Sequence, residues 1–519
     1  MGRIFRYISV FILLFISLVS VKANSNSIYV NLNDMTYSNE DNNYTNIVEY
    51  KTLDEFLKDY NNNSLPSIYI TDFLFDGVST VKSPDLDDFI DSGSNDTKIK
   101  TLSIKVININ TYGDITFSGE ATGYMIGVDT NNKVGNTNII LNGVKLDTDS
   151  KKAPAIYVYN KDKNYTDCIV TIKTVKGTSN YIEGGKLKKV SLLDKDELSK
   201  YSSYYSNDAL TNYNKYSSYY GIYTSEQIKN ILFATVTADS EDLADGDPYY
   251  FYKASGAISS DIDLYFEGVG YLEVTSKNKE GIETKGNLTF SGGTGDYAIY
   301  AQDDCLNTTT ASSNGTVRND LVIDVNSLLA VVDPDGDEGD AIDSNGKLII
   351  NGGTIYAFAH PTSADAGLDS NNGIYINGGT VIATGNMADQ VSNDSKQKYI
   401  YATFNEKIDS DTLLVIKDNS GNVITAFKTN RSISNLLYSS SNIKDSNYKI
   451  YKGGTISGEE VNGLYTVINS YTGGEEISYS SNSNYTNKEN NNILLIALLI
   501  EVFTLIIFVI INRKTISQL

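Results

Sequence analysis

The chain of 519 residues has no tryptophan, a single histidine (His360) and two cysteines, Cys168 and Cys305. Two thiols cannot staple a disulfide scaffold or furnish a cysteine-based zinc site. They also fall in repeats several strands apart, whereas a disulfide needs its Cα atoms within about 7 Å, so two buried free thiols are expected. One histidine leaves no room for chemistry that requires several. Positive charge is also scarce. Lys plus Arg total 42 against 64 Asp plus Glu, a formal net charge of −22. Nucleic-acid binding, which needs a positive face for the phosphates, is excluded on that ground. Arginine is nearly confined to the chain ends; the interior has only Arg318 and Arg431.

What the chain does have is internal repetition. Residues 339–355, GDAIDSNGKLIINGGTI, align without a gap to residues 365–381, DAGLDSNNGIYINGGTV. Residues 281–294, GIETKGNLTFSGGT, carry the same pattern. A short fixed period is the signature of a solenoid. Its columns can be read directly. The first apolar column is Ile258, Ile282, Leu306, Ile342 and Leu368. The second is Leu264, Leu288, Ile323, Leu348 and Ile374, and the third is Phe266, Phe290, Val325, Ile350 and Ile376. The second and third columns sit two residues apart, which is strand alternation. Paired glycines follow, and glycine accepts the backbone angles of a tight corner. Strand, corner, strand and corner in about two dozen residues predict an all-β fold: a right-handed parallel β-helix. An insertion at 308–320 delays one repeat.

The expected layout runs along the chain as follows. Residues 1–23 form a secretory signal peptide, with Arg3 and Arg6 before an apolar run. Residues 24–100 form an N-terminal cap segment with a short helix over 52–60. The β-helix covers 101–392, interrupted by a tyrosine-rich insertion at about 186–250. A small antiparallel β module occupies 393–470, and 471–492 is a stalk. Residues 493–511 are long and apolar enough for a transmembrane helix, followed by a cytoplasmic tail at 512–519. The expectation is a cell-surface, single-pass membrane protein with an extracellular N-terminal part. Sequons at Asn43, Asn164, Asn314 and Asn430 permit glycosylation.

One column beside the inward Ile/Leu is polar in every repeat: Ser259, Glu283, Asn307, Asp343 and Asp369. Stacked carboxylates about 4.8 Å apart repel by roughly 3 kcal/mol at an effective dielectric of 20. A calcium ion between them removes that cost, since its oxygen ligands lie at about 2.4 Å. Asp303, Asp304 and Asp340 lie close by in sequence. The loop DPDGDEGD at 333–340 places Asp333, Asp335 and Asp337 at alternate positions, as in half an EF-hand, but lacks the glycine and closing glutamate of that motif. The candidate calcium ligands are therefore Glu283, Asp303, Asp304, Asp337, Asp340, Asp343 and Asp369. Recognition of a sugar face wants aromatic rings, and without tryptophan this falls to some of the 39 tyrosines. Tyr265 and Tyr375 share an outward column, and Tyr356 points outward on a neighbouring strand. These three are the candidate carbohydrate-binding residues.

The blocks GIETKGNLTFSGG, GDAIDSNGKLIINGGTI and GLDSNNGIYINGGTV, with LLVIKDNSGNVITAF further on, resemble a family of secreted carbohydrate-binding proteins. Clostridial cellulose- and pectin-binding proteins with a polysaccharide-lyase-like β-helix typify that family. The resemblance spans roughly 101–455. It implies calcium sites and non-catalytic binding of plant-type polysaccharide, with the acidic turn residues falling on Asp303, Asp304, Asp340, Asp343 and Asp369. Polysaccharide lyase activity on uronate polymers is the rival reading, with Arg318 as its base, and a non-carbohydrate adhesin is a third.

Overall fold

A computed structural model describes residues 27–39, 43–51, 53–71, 74–75, 104–130, 135–149, 153–160, 168–185, 233–234, 256–309, 319–336, 338–387, 389–444 and 448–481. Among these, the chain is β throughout except for one nine-residue helix, Leu53–Asn61. Buried and half-buried residues alternate along strands such as Leu264–Gly268, Tyr271–Ser276 and Leu321–Val332. One side of each strand enters a shared interior and the other faces outward.

The strands stack in three ladders. The first runs from Val48–Glu49 through Ile68–Thr71, Lys105–Ile109, Tyr124–Asp129, Ile156–Tyr159, Ile258–Ser260, Ile282–Thr284, Leu306–Thr308 and Ile342–Ser344 to Asp369–Ser370. Only the pairing of Ile68–Thr71 with Lys105–Ile109 is antiparallel. The second comprises Ile28–Asn31, Gly113–Thr122, Thr137–Asp147, Val170–Thr174, Leu264–Gly268, Leu288–Phe290, Leu321–Val332, Leu348–Phe358 and Ile374–Ile376, all parallel. The long strands bend at a register shift and continue into the third ladder, with Ser179–Gly184, Tyr271–Ser276, Asp296–Ala301 and Thr380–Gly385. At one such bend Gly353 has φ of 98°, and a Cβ there would sit 2.5 Å from the Val325 carbonyl oxygen. Only glycine fits.

Register builds the core. Ile28, Ile115, Ile139, Ile172, Phe266, Phe290, Ile323, Ile350 and Ile376 face one another down the second ladder. All are buried. Phe266 and Phe290 stack with ring centroids 4.7 Å apart and planes 13° apart. Burying each such side chain stabilises by roughly 1.5–3 kcal/mol. In the first ladder Ile258, Ile282, Leu306 and Ile342 align as expected. One repeat differs from the expected columns. Leu288 pairs with Leu321 and Phe290 with Ile323, where Ile323 and Val325 were expected. The difference is two residues, one full strand period, so the same side stays inward.

The third ladder ends where Ile433–Ser439 pairs antiparallel with Thr380–Gly385, and Tyr399–Ile408 adds to it. A separate six-stranded antiparallel sheet follows, built from Leu413–Asp418, Val423–Lys428, Tyr448–Lys452, Thr455–Val461, Leu464–Thr472 and Glu475–Ile477. Residues 471–481, expected as the start of a stalk, therefore lie mostly in strands. This part packs on the outward side of the third ladder through a second core containing Tyr356, Phe358 and Ile382 with Ile400, Phe404 and Phe427. The Arg431 guanidinium fastens the two by donating to the carbonyls of Val332, Phe358 and Ala359 at 2.9, 3.2 and 2.6 Å.

The expected single-pass membrane anchor needs correction. No helix among the described residues is long and apolar enough to cross a membrane. The one described helix, nine residues, is about 14 Å long, against a hydrocarbon core of about 30 Å. The signal-peptide run 1–23, the apolar run 493–511 and the tail lie outside the described residues, as do Arg318 and most of the insertion at 186–250. Cys168 and Cys305 are both buried, and no disulfide joins them.

Candidate functional site

The polar column of the first ladder is in register. Ser259 faces Glu283, Glu283 faces Asn307, Asn307 faces Asp343, and Asp343 faces Asp369. The strands that hold these residues have their apolar partners locked inward, so the carboxylates are presented at fixed strand spacing. At the C-terminal end of the column Asp340, Asp343 and Asp369 each bring a carboxylate oxygen within 4.8 Å of the others. All three are half-buried.

The surroundings explain how so much acid is held together. The Asp340 carboxylate accepts from the Ala366 amide at 2.6 Å. Asp304 is buried and uses both oxygens. Oδ1 accepts from the Asp340 amide at 2.8 Å and Oδ2 from the Asn307 side chain at 2.6 Å. Asp304 is therefore a scaffold for Asp340. Asp303 is ion-paired with Lys279. Glu283 is buried, with the Ser259 hydroxyl 3.4 Å from its Oε2. Asp337 lies outside the described residues. Of the seven expected ligands, the structure gathers three, ties two into neighbouring bonds and leaves Glu283 two strands along the column.

Electrostatics mark the same place. Burial, with the Asp369 and Asp343 carboxylates adding to it, pushes Asp340 up to about 8, although the Ala366 amide pulls the other way. Burial first and Asp369 second push Asp343 up to about 7. Asp369 is raised mainly by burial, and then by Asp389. Nearby, Glu280 is pushed up to about 7 by burial and by Glu283. Crowding carboxylates in low dielectric favours their protonated forms. Asp343 Oδ1 and Asn307 Oδ1 are moreover buried without a hydrogen-bond partner, and a buried oxygen left unpaired is costly. Hard, anionic oxygens with unused lone pairs fit a hard divalent cation such as calcium. Among the described residues this is the group whose spacing suits a metal.

Two nearby acids were not among the expected ligands. Asp389 raises both Asp343 and Asp369 and accepts from the Ser370 amide at 3.0 Å. It follows the last repeat, so no column reveals it. Glu280 stands three residues before the polar column, the repeat position that Asp304 and Asp340 also hold.

The tyrosines divide. Tyr265 and Tyr375 are half-buried on the outward side of the second ladder, in one column with Thr289, Val322 and Ile349 between them. The Lys347 ammonium lies 5.6 Å from the Tyr375 ring. Tyr356 does not meet the expectation. Its side chain is only 3% exposed, packed in the second core with Phe358 and Ile382. It points outward from its own ladder, but the C-terminal sheet covers it. His360 is buried in a turn, held by Ser363 and by the Pro334 carbonyl.

Residues 221–455 match a family model described as "Carbohydrate-binding domain-containing protein". The matched span contains the Asp340–Asp343–Asp369 group, Tyr265 and Tyr375. The match supports carbohydrate binding and suggests a binding role over a catalytic one. No curated protein and no solved structure matches the chain.

Proposed function

We propose that this protein is a non-catalytic, calcium-dependent binder of plant-type polysaccharide. The observation that carries the reading is the placement, within one span matching a carbohydrate-binding family, of three converging carboxylates beside an outward column bearing two tyrosines. Asp340, Asp343 and Asp369 would hold calcium, with Asp304 fixing Asp340 and Asp389 adding negative charge. When bound, the ion neutralises the acidic cluster and offers open positions to oxygen ligands of a sugar chain. Tyr265 and Tyr375 supply flat rings with a polar edge, the side-chain type suited to a surface both apolar and hydroxylated.

The proposed frame is a right-handed parallel β-helix whose three faces are the three ladders. The predominance of parallel pairing and the repeated inward columns support it. In that frame the acid cluster and the tyrosine column occupy adjacent faces, separated by the short corner at 345–347.

A glycan array probed with the purified protein, with calcium and with chelator, tests the reading. Binding to cellulose- or pectin-type glycans that chelation abolishes is the expected result. Calcium-independent binding removes the ion from the account, and no glycan binding at all removes the carbohydrate.

A further inference from the structure

The second ladder is a single run of nine parallel strands joined by eight pairings. On its outward side the aromatic residues are regularly placed. Tyr29 is on the first strand, Tyr265 on the fifth and Tyr375 on the ninth. Each interval is thus four strands, or about 19 Å at the usual strand spacing. Tyr29 is 40% exposed and alternates with buried Ile28 and Val30, so it faces the same way as the other two. It is offset from the Tyr265 column by two residues along the strand, one pleat repeat.

The ground between the rings is low and mixed. Thr116 and Ile140 follow Tyr29 in register; Thr289, Val322 and Ile349 follow Tyr265. Polar pairs flank the line: Asn138 donates to Asp114 at 2.6 Å, and Lys173 meets Glu267 at 3.1 Å. Among the described residues no aromatic side chain on this side of the ladder breaks the line between the three rings, so an extended chain can lie flat along it.

We propose that Tyr29, Tyr265 and Tyr375 are three stacking positions of one linear strip, about 38 Å long, that binds a single extended polysaccharide chain across the strands. This rests on the carbohydrate reading above and deepens it. The ligand is a long, unbranched glycan, and Tyr29, which lies outside the family match, is part of the site. A chain that reaches a second and a third ring gains affinity because each further contact is intramolecular. A short oligosaccharide reaches only one ring.

The test is isothermal titration of the full-length protein, in calcium, with length series of cello-oligosaccharides and of oligogalacturonates. Hydroxyethyl cellulose and polygalacturonate serve as the long polymers. The wild type is compared with Tyr29→Ala and Tyr29→Phe, with melting temperatures checked for each. Affinity of the wild type should rise with chain length in whichever series binds. Tyr29→Ala should weaken the long polymer roughly two- to tenfold and the shortest binding oligomer, which can still use either remaining ring, by less, while Tyr29→Phe keeps the wild-type value. If ligands bind but affinity is flat with length, or Tyr29→Ala matches the wild type on the long polymer, the strip is wrong and the carbohydrate reading stands. Equal loss in Tyr29→Phe and Tyr29→Ala overturns stacking by the ring. If neither series binds at any length, the carbohydrate reading and the strip fall together.

Discussion

At the level of single residues, Asp343 sits in an unfavourable setting. Its Oδ1 is buried and unpaired, and its neighbours are acids. The pH dependence follows from its raised pKa. A carboxyl whose folded value lies above its unfolded one contributes stability at low pH and loses it as pH rises through the folded value. Without calcium, stability should therefore fall as pH climbs through about 7 for Asp343 and about 8 for Asp340. Calcium, bound only by the folded form, should reverse the fall. Asp343→Asn separates the two effects. Above pH 8 in chelator it should melt about 2–4 °C higher than the wild type, because a repelling charge is gone. Its melting temperature should also stop responding to calcium. A calcium response as large as that of the wild type would remove Asp343 from the site. Sequence alone singled out this residue because its column is polar in every repeat. It did not reveal Asp389, which belongs to no repeat, nor that Asp303 is already neutralised by Lys279.

At the scale of the element, the account depends on strand alternation. The inward columns were legible because Leu264 and Phe266, Leu288 and Phe290, and Leu348 and Ile350 recur at a spacing of two. The repeat interrupted at 308–320 was placed two residues late, since a period of two cannot tell Ile323 from Leu321. Tyr356 shows the other limit. Alternation says which way a side chain points, while the sheet that covers it comes from residues beyond 398. Neighbouring substitutions on one strand test the alternation. Phe290→Ala removes half of a stacked pair and should cost about 3–5 kcal/mol in chemical denaturation. Thr289→Ala, one residue away on the outward side, should stay within about 0.5 kcal/mol. Similar losses for both would mean the register is misplaced.

Across the molecule, the ladders turn a repeated sequence into a polar column that ends in Asp343 and Asp369 and an outward column that bears Tyr265 and Tyr375. Antiparallel strands close the third ladder at its C-terminal end, where Arg431 and the second core fasten the terminal sheet. The all-β class could be read from the periodicity of 257–384 alone. The size of the terminal sheet could not, because strands such as Thr455–Val461 and Leu464–Thr472 are mostly exposed and show no clean inward column. Net charge supplies the decisive test. A protein at −22 repels a polyanion unless a cation bridges them. Affinity electrophoresis through gels containing polygalacturonate therefore tests whether calcium bridges the two. The wild type should be retarded in calcium and run freely in chelator, and Asp343→Ala should run freely in both. Retardation that persists in chelator, or that Asp343→Ala retains in full, would contradict calcium-dependent binding at the Asp340–Asp343–Asp369 cluster.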